Sequence, residues 1–469
     1  MNGELAVLLA GELAGFVRAG REQACWFSYS ADYTGGRERV PLSLTVPVAA
    51  GRYDIFDWMD GLLPALLEVR GQWAERYGAA SLNPMDMLST PIGWDCAGAV
   101  QFCGPDRLSE LRSRPQDRLE MSEAELARHL ESVRLGASGA VPAQWWVPFS
   151  LAGAQAKTVL CRTADKWARP AGGEPSTHIL KVALSRFPDS DLVEHVCMSA
   201  LRRAGIAAAR TEIVYAGDER AIAIERFDRR EAGGKLVRVH QEDVCQALGF
   251  PPHLKYQRNN GPSPADVALV LGEPQTDSSS ASRFFDALVC NWLLAAPDAH
   301  AKNYSLLFDG PDTVLAPLYD VCSMAPYLSR GQEIGDIALA MKIGPAWTIG
   351  EAASPQAWLE CAEEVGLDPR QAIDRAEELA ETIPAALSDT LNEMPEQVTT
   401  SPSVAILGDL ASPPARIWRR FEPGDSVGLP GLSAATPARK KKTRCPHFGR
   451  RTGRRCIRPY RHTGQHRYR

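Results

Sequence analysis

RFFDALVCNWLLAAPDAHAKNYSLLFDGPDTVLAPLYDVCS, residues 283–323, is the stretch whose reading decides the fold. Phe285, Leu288, Val289, Trp292 and Leu293 recur at helical spacing, so it opens as a helix with one apolar face. Pro297 ends that helix. Asp298-Ala-His300-Ala-Lys302-Asn303 follows, dense in functional groups. Tyr304–Phe308 and Thr313–Leu318 read as short strands on either side of the turn Asp309–Asp312. A hairpin pivoting near Gly310 and Pro311 places Asn303 opposite Leu318. Asp320 is then two residues further on, about 7 Å away at strand spacing. Two carboxylates and an amide converge at one end of the hairpin. Hard oxygen donors of that kind suit Mg²⁺, with a spare carboxylate to act as a base. Asp and Asn also cap turns with no further role, and the spacing leaves both readings open.

Length and composition bound what surrounds this stretch. A chain of 469 residues implies two or three domains. Apolar content of 45% and charged content of 23% are those of a globular protein. No basic segment precedes an apolar run at Met1, and no apolar run reaches membrane-spanning length. The eleven cysteines are scattered, several within apolar segments (Cys161, Cys197, Cys245, Cys290). That usage fits free thiols in a reducing cytoplasm rather than a disulfide framework. The net charge of −5 hides an asymmetry. Residues 439–469 carry 13 Lys or Arg and no acid, leaving 39 basic against 57 acidic residues elsewhere, a net of −18. The tail, not the body, is the part suited to polyanions.

In chain order, residues 1–105 read as a small β-rich domain. Leu5–Leu9 and Leu13–Val17 form an opening hairpin, Cys25–Tyr29 and Leu42–Val46 are further strands, and Ile55–Gly71 has a helical apolar pattern. Residues 106–229 begin with a charged helical stretch whose Ser122 and Glu125 are spaced as a capping box. Ser150-Leu-Ala152-Gly153-Ala154-Gln155-Ala-Lys157 lies between the strand-like Trp145–Phe149 and Val159–Arg162. Its small residues let backbone amides approach a phosphate, although it lacks the Walker A spacing and an ordinary turn reads the same way. Lys181 sits on the strand Thr177–Leu184, and Glu194 on the helix that follows. A strand lysine followed by a helix acid holds nucleotide phosphates in protein kinases; a plain salt bridge is the other reading. The strands Glu212–Tyr215 and Ala221–Glu225 lead to Glu225-Arg-Phe227-Asp-Arg-Arg, where a kinase chain crosses between lobes. Residues 230–420 then supply Gln241–Gly249, the stretch 283–323 and closing helices near Gln356–Val365 and Pro369–Ile383.

These residues resemble one family, the HipA-like serine/threonine kinases, toxin halves of bacterial type II toxin–antitoxin pairs. SLAGAQAK (150–157), THILK (177–181), ERFDRR (225–230), QEDVCQALG (241–249), DAHAKN (298–303) and PLYD (317–320) fall in the family's order, and DCAGAVQ (95–101) is similar to its N-terminal domain. The resemblance covers roughly residues 1–420. It implies an α+β, two-lobed protein-kinase-like fold behind a small β-rich domain, and an ATP- and Mg²⁺-dependent protein kinase. It implies Asp298 as catalytic base and Asn303 and Asp320 as Mg²⁺ ligands. Lys181 would meet the α/β-phosphates, and the loop of Ala152, Gly153, Ala154, Gln155 and Lys157 would cover the phosphates. Glu225 and Phe227 would meet adenine through their backbone, with Gln241 and His300 lining the nucleotide site. Ser150 would be the autophosphorylation site that switches the kinase off. The implied partners are a protein substrate in translation, such as an aminoacyl-tRNA synthetase, and a HipB-like antitoxin. Ala156 stands where the family loop often has an acid, and Pro297 where it has a small or hydroxyl residue.

The family does not normally have the tail. Residues 421–438 read as linker. Residues 439–469 hold Cys445, Cys456, His462 and His466 within 22 residues. That set suits a tetrahedral Zn²⁺ site, though the gap between the cysteines is long; a disordered basic tail is the other reading. Thirteen positive charges predict salt-sensitive binding to nucleic acid. Two competing functions stand beside the kinase. One is a kinase-fold repressor subunit acting with an antitoxin and binding nucleic acid through the tail. The other is a metal-dependent phosphohydrolase using Asp298, His300 and Asp320, for which Lys181 has no evident use.

Overall fold

The computed structural model describes residues 3–36, 39–135, 147–153, 155–163, 165–309 and 312–411. The linker 421–438, the tail with Cys445, Cys456, His462 and His466, and Ala154 of the small-residue loop lie outside the described residues. Among those described, no helix is long and apolar enough to cross a membrane.

Five strands open the chain: β1 (Glu4–Leu9), β2 (Glu12–Ala19), β3 (Cys25–Tyr29), β4 (Tyr53–Asp54) and β5 (Val100–Cys103). They form one antiparallel sheet in the order β4-β3-β2-β1-β5. Val7, Phe27, Met59 and Phe102 fill the core on one face. The segment Leu42–Val46 is not a strand; a single bridge, Ser43 to Val46, is all it forms. Pro41 and Pro47 flank it and deny it ladder donors, and its backbone bonds a distant strand instead. The pattern over Ile55–Gly71 does not make one helix either. It yields Phe56–Asp60 and Leu67–Tyr77, because Gly61 and Pro64 interrupt the hydrogen-bond ladder.

A second, six-stranded antiparallel sheet follows: β6 (Gln116–Glu120), β7 (Lys157–Thr163), β8 (Lys166–Gly172), β9 (His178–Lys181), β10 (Thr211–Ala216) and β11 (Glu219–Glu225), ordered β10-β11-β9-β7-β8-β6. The helix Glu123–Arg134 lies against it, opened by the expected capping box of Ser122 and Glu125. Val147–Phe149, the described part of the expected strand Trp145–Phe149, is not a strand, and Ser150 beside it makes an isolated bridge with Cys96. Between β9 and β10 runs the helix Ser190–Arg203. Its apolar face, Leu192, Val196 and Leu201, packs into the core of the helical lobe beyond.

The chain leaves this sheet after Glu225, makes the ribbon β12 (Arg229–Ala232) and β13 (Lys235–Arg238), and enters the helical lobe at β14 (His240–Asp243). The helix Ser280–Leu293 is the lobe's buried centre. Phe284, Phe285, Leu288 and Trp292 are almost wholly covered, each worth about 1.5–3 kcal/mol of burial. The long helix Pro369–Glu393 packs across it. The hairpin β15 (Ser305–Asp309) and β16 (Asp312–Leu315) joins β14 in a three-stranded sheet. Leu306 pairs with Leu315 and Phe308 with Thr313, the register read from sequence. The pairing stops sooner than expected. Its last bond is Ala316 N–H to Ser305 O, 2.8 Å. Pro317 has no N–H to continue it. Leu318 instead bonds Ala207 and Ala209, each at 2.8 Å, tying the hairpin to the turn after the helix Ser190–Arg203.

Candidate active site

Lys181, at the end of β9, is the anchor. Its buried ammonium donates to Glu194 Oε1 at 2.8 Å and also to Asp320 Oδ1. Desolvation pulls this ammonium down, yet the Asp320 and Glu194 carboxylates outweigh it and its pKa rises. Glu194, on the helix Ser190–Arg203, is pushed up by burial; Asp320 is held down because Lys181 and Lys157 outweigh its own desolvation. Asp320 has φ +58°, a left-handed conformation that Asp tolerates better than most residues. Tyr319 before it is fixed by hydrogen bonds to Ser305 Oγ (2.6 Å) and Lys302 O (2.8 Å). The ring of Phe227, from the lobe crossing, lies 5.6 Å from the Tyr319 ring.

Asp298 stands in the loop between the helix Ser280–Leu293 and the hairpin, with its side chain 60% exposed. Tyr256 donates its hydroxyl to Asp298 Oδ1 at 2.6 Å. The Asn303 amide donates to Asp298 O at 2.7 Å. His300 Nε2 lies 3.8 Å from Asp298 Oδ2 and 2.7 Å from Lys255 Nζ. An ammonium only donates, so Nε2 accepts and the neutral ring keeps its proton on Nδ1. Burial holds His300 down to about 4, consistent with that neutral form.

The loop after Ser150 closes the site from the small lobe. Lys157 Nζ donates to Ala152 O at 2.5 Å, and Gln155 donates to Val182 O at 2.8 Å. Burial brings Lys157 down to about 8, with the Asp320 carboxylate the largest influence opposing this. Gly153 has φ +111°, and a Cβ there would meet Lys157 Nζ at 2.4 Å. Only glycine lets that lysine fold over the loop.

The structure thus gathers Lys157, Lys181, Glu194, Asp320, His300, Asp298 and Asn303. Asp320 and Asn303 bring hard oxygen donors that fit Mg²⁺, and Lys157 and Lys181 bring cations that fit a polyphosphate. Glu225 ends β11 at the crossing, its N–H on Arg210 O at 2.9 Å. Two expected site residues have their bonded partners elsewhere. Gln241 donates to Asp228 Oδ2 at 3.0 Å. Ser150 is fully buried, its hydroxyl on Leu62 O at 3.0 Å and its N–H on Asp95 O at 2.8 Å. Among the described residues no three His, Cys, Asp or Glu side chains are grouped to hold a metal ion.

Sequence reasoning missed Lys255, Tyr256 and Tyr319. It also missed a buried ionic junction between the first domain and the lobes. Arg226 binds Asp228 through two bonds (2.9 and 2.8 Å) and donates to Cys96 O and Ser176 Oγ. Arg229 reaches Asp95 Oδ1 at 2.8 Å, and Gly98 N–H donates to Asp228 Oδ2 at 2.6 Å. The available signal was the lone Asp95 in DCAG at 95–98 and the charged run ERFDRR at 225–230, whose pairing no local pattern reveals.

Residues 5–103 match the HipA N-terminal domain, and residues 149–387 match the HipA-like C-terminal domain. The putative kinase Y4mE of Sinorhizobium fredii is 31% identical over 395 residues, covering 81% of this chain and 91% of the relative. The serine/threonine-protein kinase toxin HipA of Shewanella oneidensis is 28% identical over 382 residues, covering 76% and 82%. The Shewanella oneidensis HipA, solved with HipB and its operator DNA, superposes with a TM-score of 0.74 at 23% identity, over 88% of this chain and 97% of that one. That last likeness establishes the two-lobed fold. The chain belongs to the HipA-like kinase family.

Proposed function

We propose that this kinase transfers the γ-phosphoryl group of ATP to a serine or threonine hydroxyl of a protein. The observation that carries the reading is Lys181 held between Glu194 and Asp320, with Asp298 and Asn303 in the loop beside them. Lys181 and Lys157 would bind the polyphosphate. Asp320 and Asn303 would hold Mg²⁺, which supplies charge neutralisation at the transferring group. Asp298, exposed and steadied by Tyr256, would accept the substrate hydroxyl's proton. His300 would not compete for it, since its Nε2 is occupied by Lys255. Catalysis of this kind rests on positioning and electrostatics rather than on covalent chemistry.

The chain would act as a growth-inhibiting toxin on a translation component, restrained by a HipB-like antitoxin. The basic residues 439–469 would be its part that meets nucleic acid. Ser150 would be the autophosphorylation site. Its burial supports a switch in which phosphorylation is compatible only with departure of the segment 147–153 from its place, since a dianion cannot stay against Leu62 O.

Labelled ATP and Mg²⁺ test the reading. Wild-type protein should take up label, Asp298→Ala should not, and Ser150→Ala should lose self-labelling while still labelling a substrate. No label in wild type, with ATP still bound, would replace the kinase with the repressor subunit.

A further inference from the structure

We propose that Lys255 is a catalytic residue of this kinase, the large-lobe cation that grips the phosphoryl group being transferred; the inference rests on the kinase reading above. It lies in the short segment after Pro251–Leu254, 43 residues before Asp298 in sequence. Its carbonyl accepts from Ala301 N–H at 3.2 Å, which fixes the segment against the catalytic loop. Its ammonium donates to His300 Nε2 at 2.7 Å, and both Asp298 and Asp320 act on it electrostatically.

The other lysines around the site are committed differently. Lys181 pairs with Glu194 and Asp320. Lys302, in the catalytic loop itself, is turned away onto Asp243 Oδ2 and Gly61 O. Lys157 and Lys255 alone of these four form no ion pair among the described residues. Lys157 has the Ala152 carbonyl, and Lys255 a neutral imidazole together with the face of the Tyr256 ring, 5.0 Å from its centroid. An aromatic face and a neutral imidazole compensate a partly buried ammonium less than a paired carboxylate would, and binding a phosphate oxygen supplies the missing anion. Lys157 comes from the small lobe and Lys255 from the large lobe. His300 links Lys255 (2.7 Å) to Asp298 (3.8 Å), which takes the substrate proton, and the charge of Asp320, at the Mg²⁺ position, is felt at Lys255 as well. That places its charge where the terminal phosphate must pass, not beside the α- or β-phosphate.

The test separates the terminal phosphate from the rest of the nucleotide. The full chain, with Mg²⁺, is titrated calorimetrically with ADP and with a non-hydrolysable ATP analogue. Losing one charge-assisted hydrogen bond should weaken the analogue about 10- to 100-fold. In Lys255→Met, ADP affinity should stay within about twofold of wild type on the same reasoning. Lys255→Gln keeps a donor for His300 without the charge, and should lose the analogue preference as Met does. Lys255→Arg should regain part of it. Equal weakening of ADP and analogue, or a Gln variant that behaves like wild type, would overturn the assignment and leave Lys255 as a support for His300. Wild-type protein that binds neither nucleotide would instead refute the kinase reading, and this inference with it.

Discussion

Replacing Asp228 by Ala should cost this protein more than almost any other single change outside its apolar cores. Asp228 is 2% exposed, and its carboxylate takes bonds from Arg226, Gly98 N–H and Gln241, with Arg229 3.1 Å away. With Asp95 it forms a pair of acids among three guanidinium groups, those of Arg226, Arg229 and Arg238. The cluster already carries one excess positive charge. Crowding shows in Arg229, which burial and then Arg226 hold down to about 10. Deleting Asp228 raises the excess to two and leaves Arg226 with Asp95, 3.5 Å away, as its one carboxylate. Breaking a buried pair in this way costs about 3–5 kcal/mol. At about 2–4 °C per kcal/mol for a unit of 150–250 residues, the melting transition should fall by roughly 10 °C. Calorimetry on the full chain reads the shift, and limited proteolysis reads whether residues 3–103 loosen first. Adding Arg226→Met returns the cluster to one excess charge, so the double variant should be more stable than Asp228→Ala alone. Additive losses from the two substitutions would refute the charge-balance argument.

Other outcomes follow from the same junction and its neighbours. Glu242 on β14 is buried and accepts from Leu44 N–H (2.8 Å) and Trp58 Nε1 (3.1 Å); desolvation outweighs these bonds and raises it from 4.5 to about 7. A raised carboxyl contributes stability below its unfolded pKa and loses it as pH climbs to the folded one. Wild type should therefore lose about 3 kcal/mol between pH 4.5 and 7 that Glu242→Gln does not, as urea unfolding at a series of pH values would register. A Cβ at Gly98 would meet Gln241 N at 2.6 Å on a backbone with φ +73°, so Gly98→Ala should destabilise the same junction, visible as faster proteolysis near residue 103. Ser122→Ala removes the cap of the helix Glu123–Arg134 and should cost about 1 kcal/mol in thermal unfolding without changing nucleotide affinity.

What was legible in the sequence was whatever local rules govern. The hairpin register followed from one turn and two apolar runs, and it came out as read because a two-sided strand tolerates no slip. The Ser122 box and the helix carrying Glu194 obeyed capping and periodicity. Failures came where tertiary bonding overrode an apolar pattern. Leu42–Val46 has the composition of a strand, but its Leu42 carbonyl is bonded by His240 (3.0 Å) and its Leu44 N–H by Glu242, 198 residues away in each case. The pattern over Ile55–Gly71 concealed a break that Pro64 should have announced. The carbonyls freed there are not idle: Gln246 bonds Trp58 O, Lys302 bonds Gly61 O and Ser150 bonds Leu62 O. One short segment of the first domain therefore touches the helical lobe, the loop 298–303 and the buried serine at once. No periodicity carries that information, since carbonyls are the same for every residue and only their directions differ. Lys255 was missed for a related reason. An ammonium in a polar loop reads as a solvated charge until the fold brings His300 to it and leaves no carboxylate paired with it.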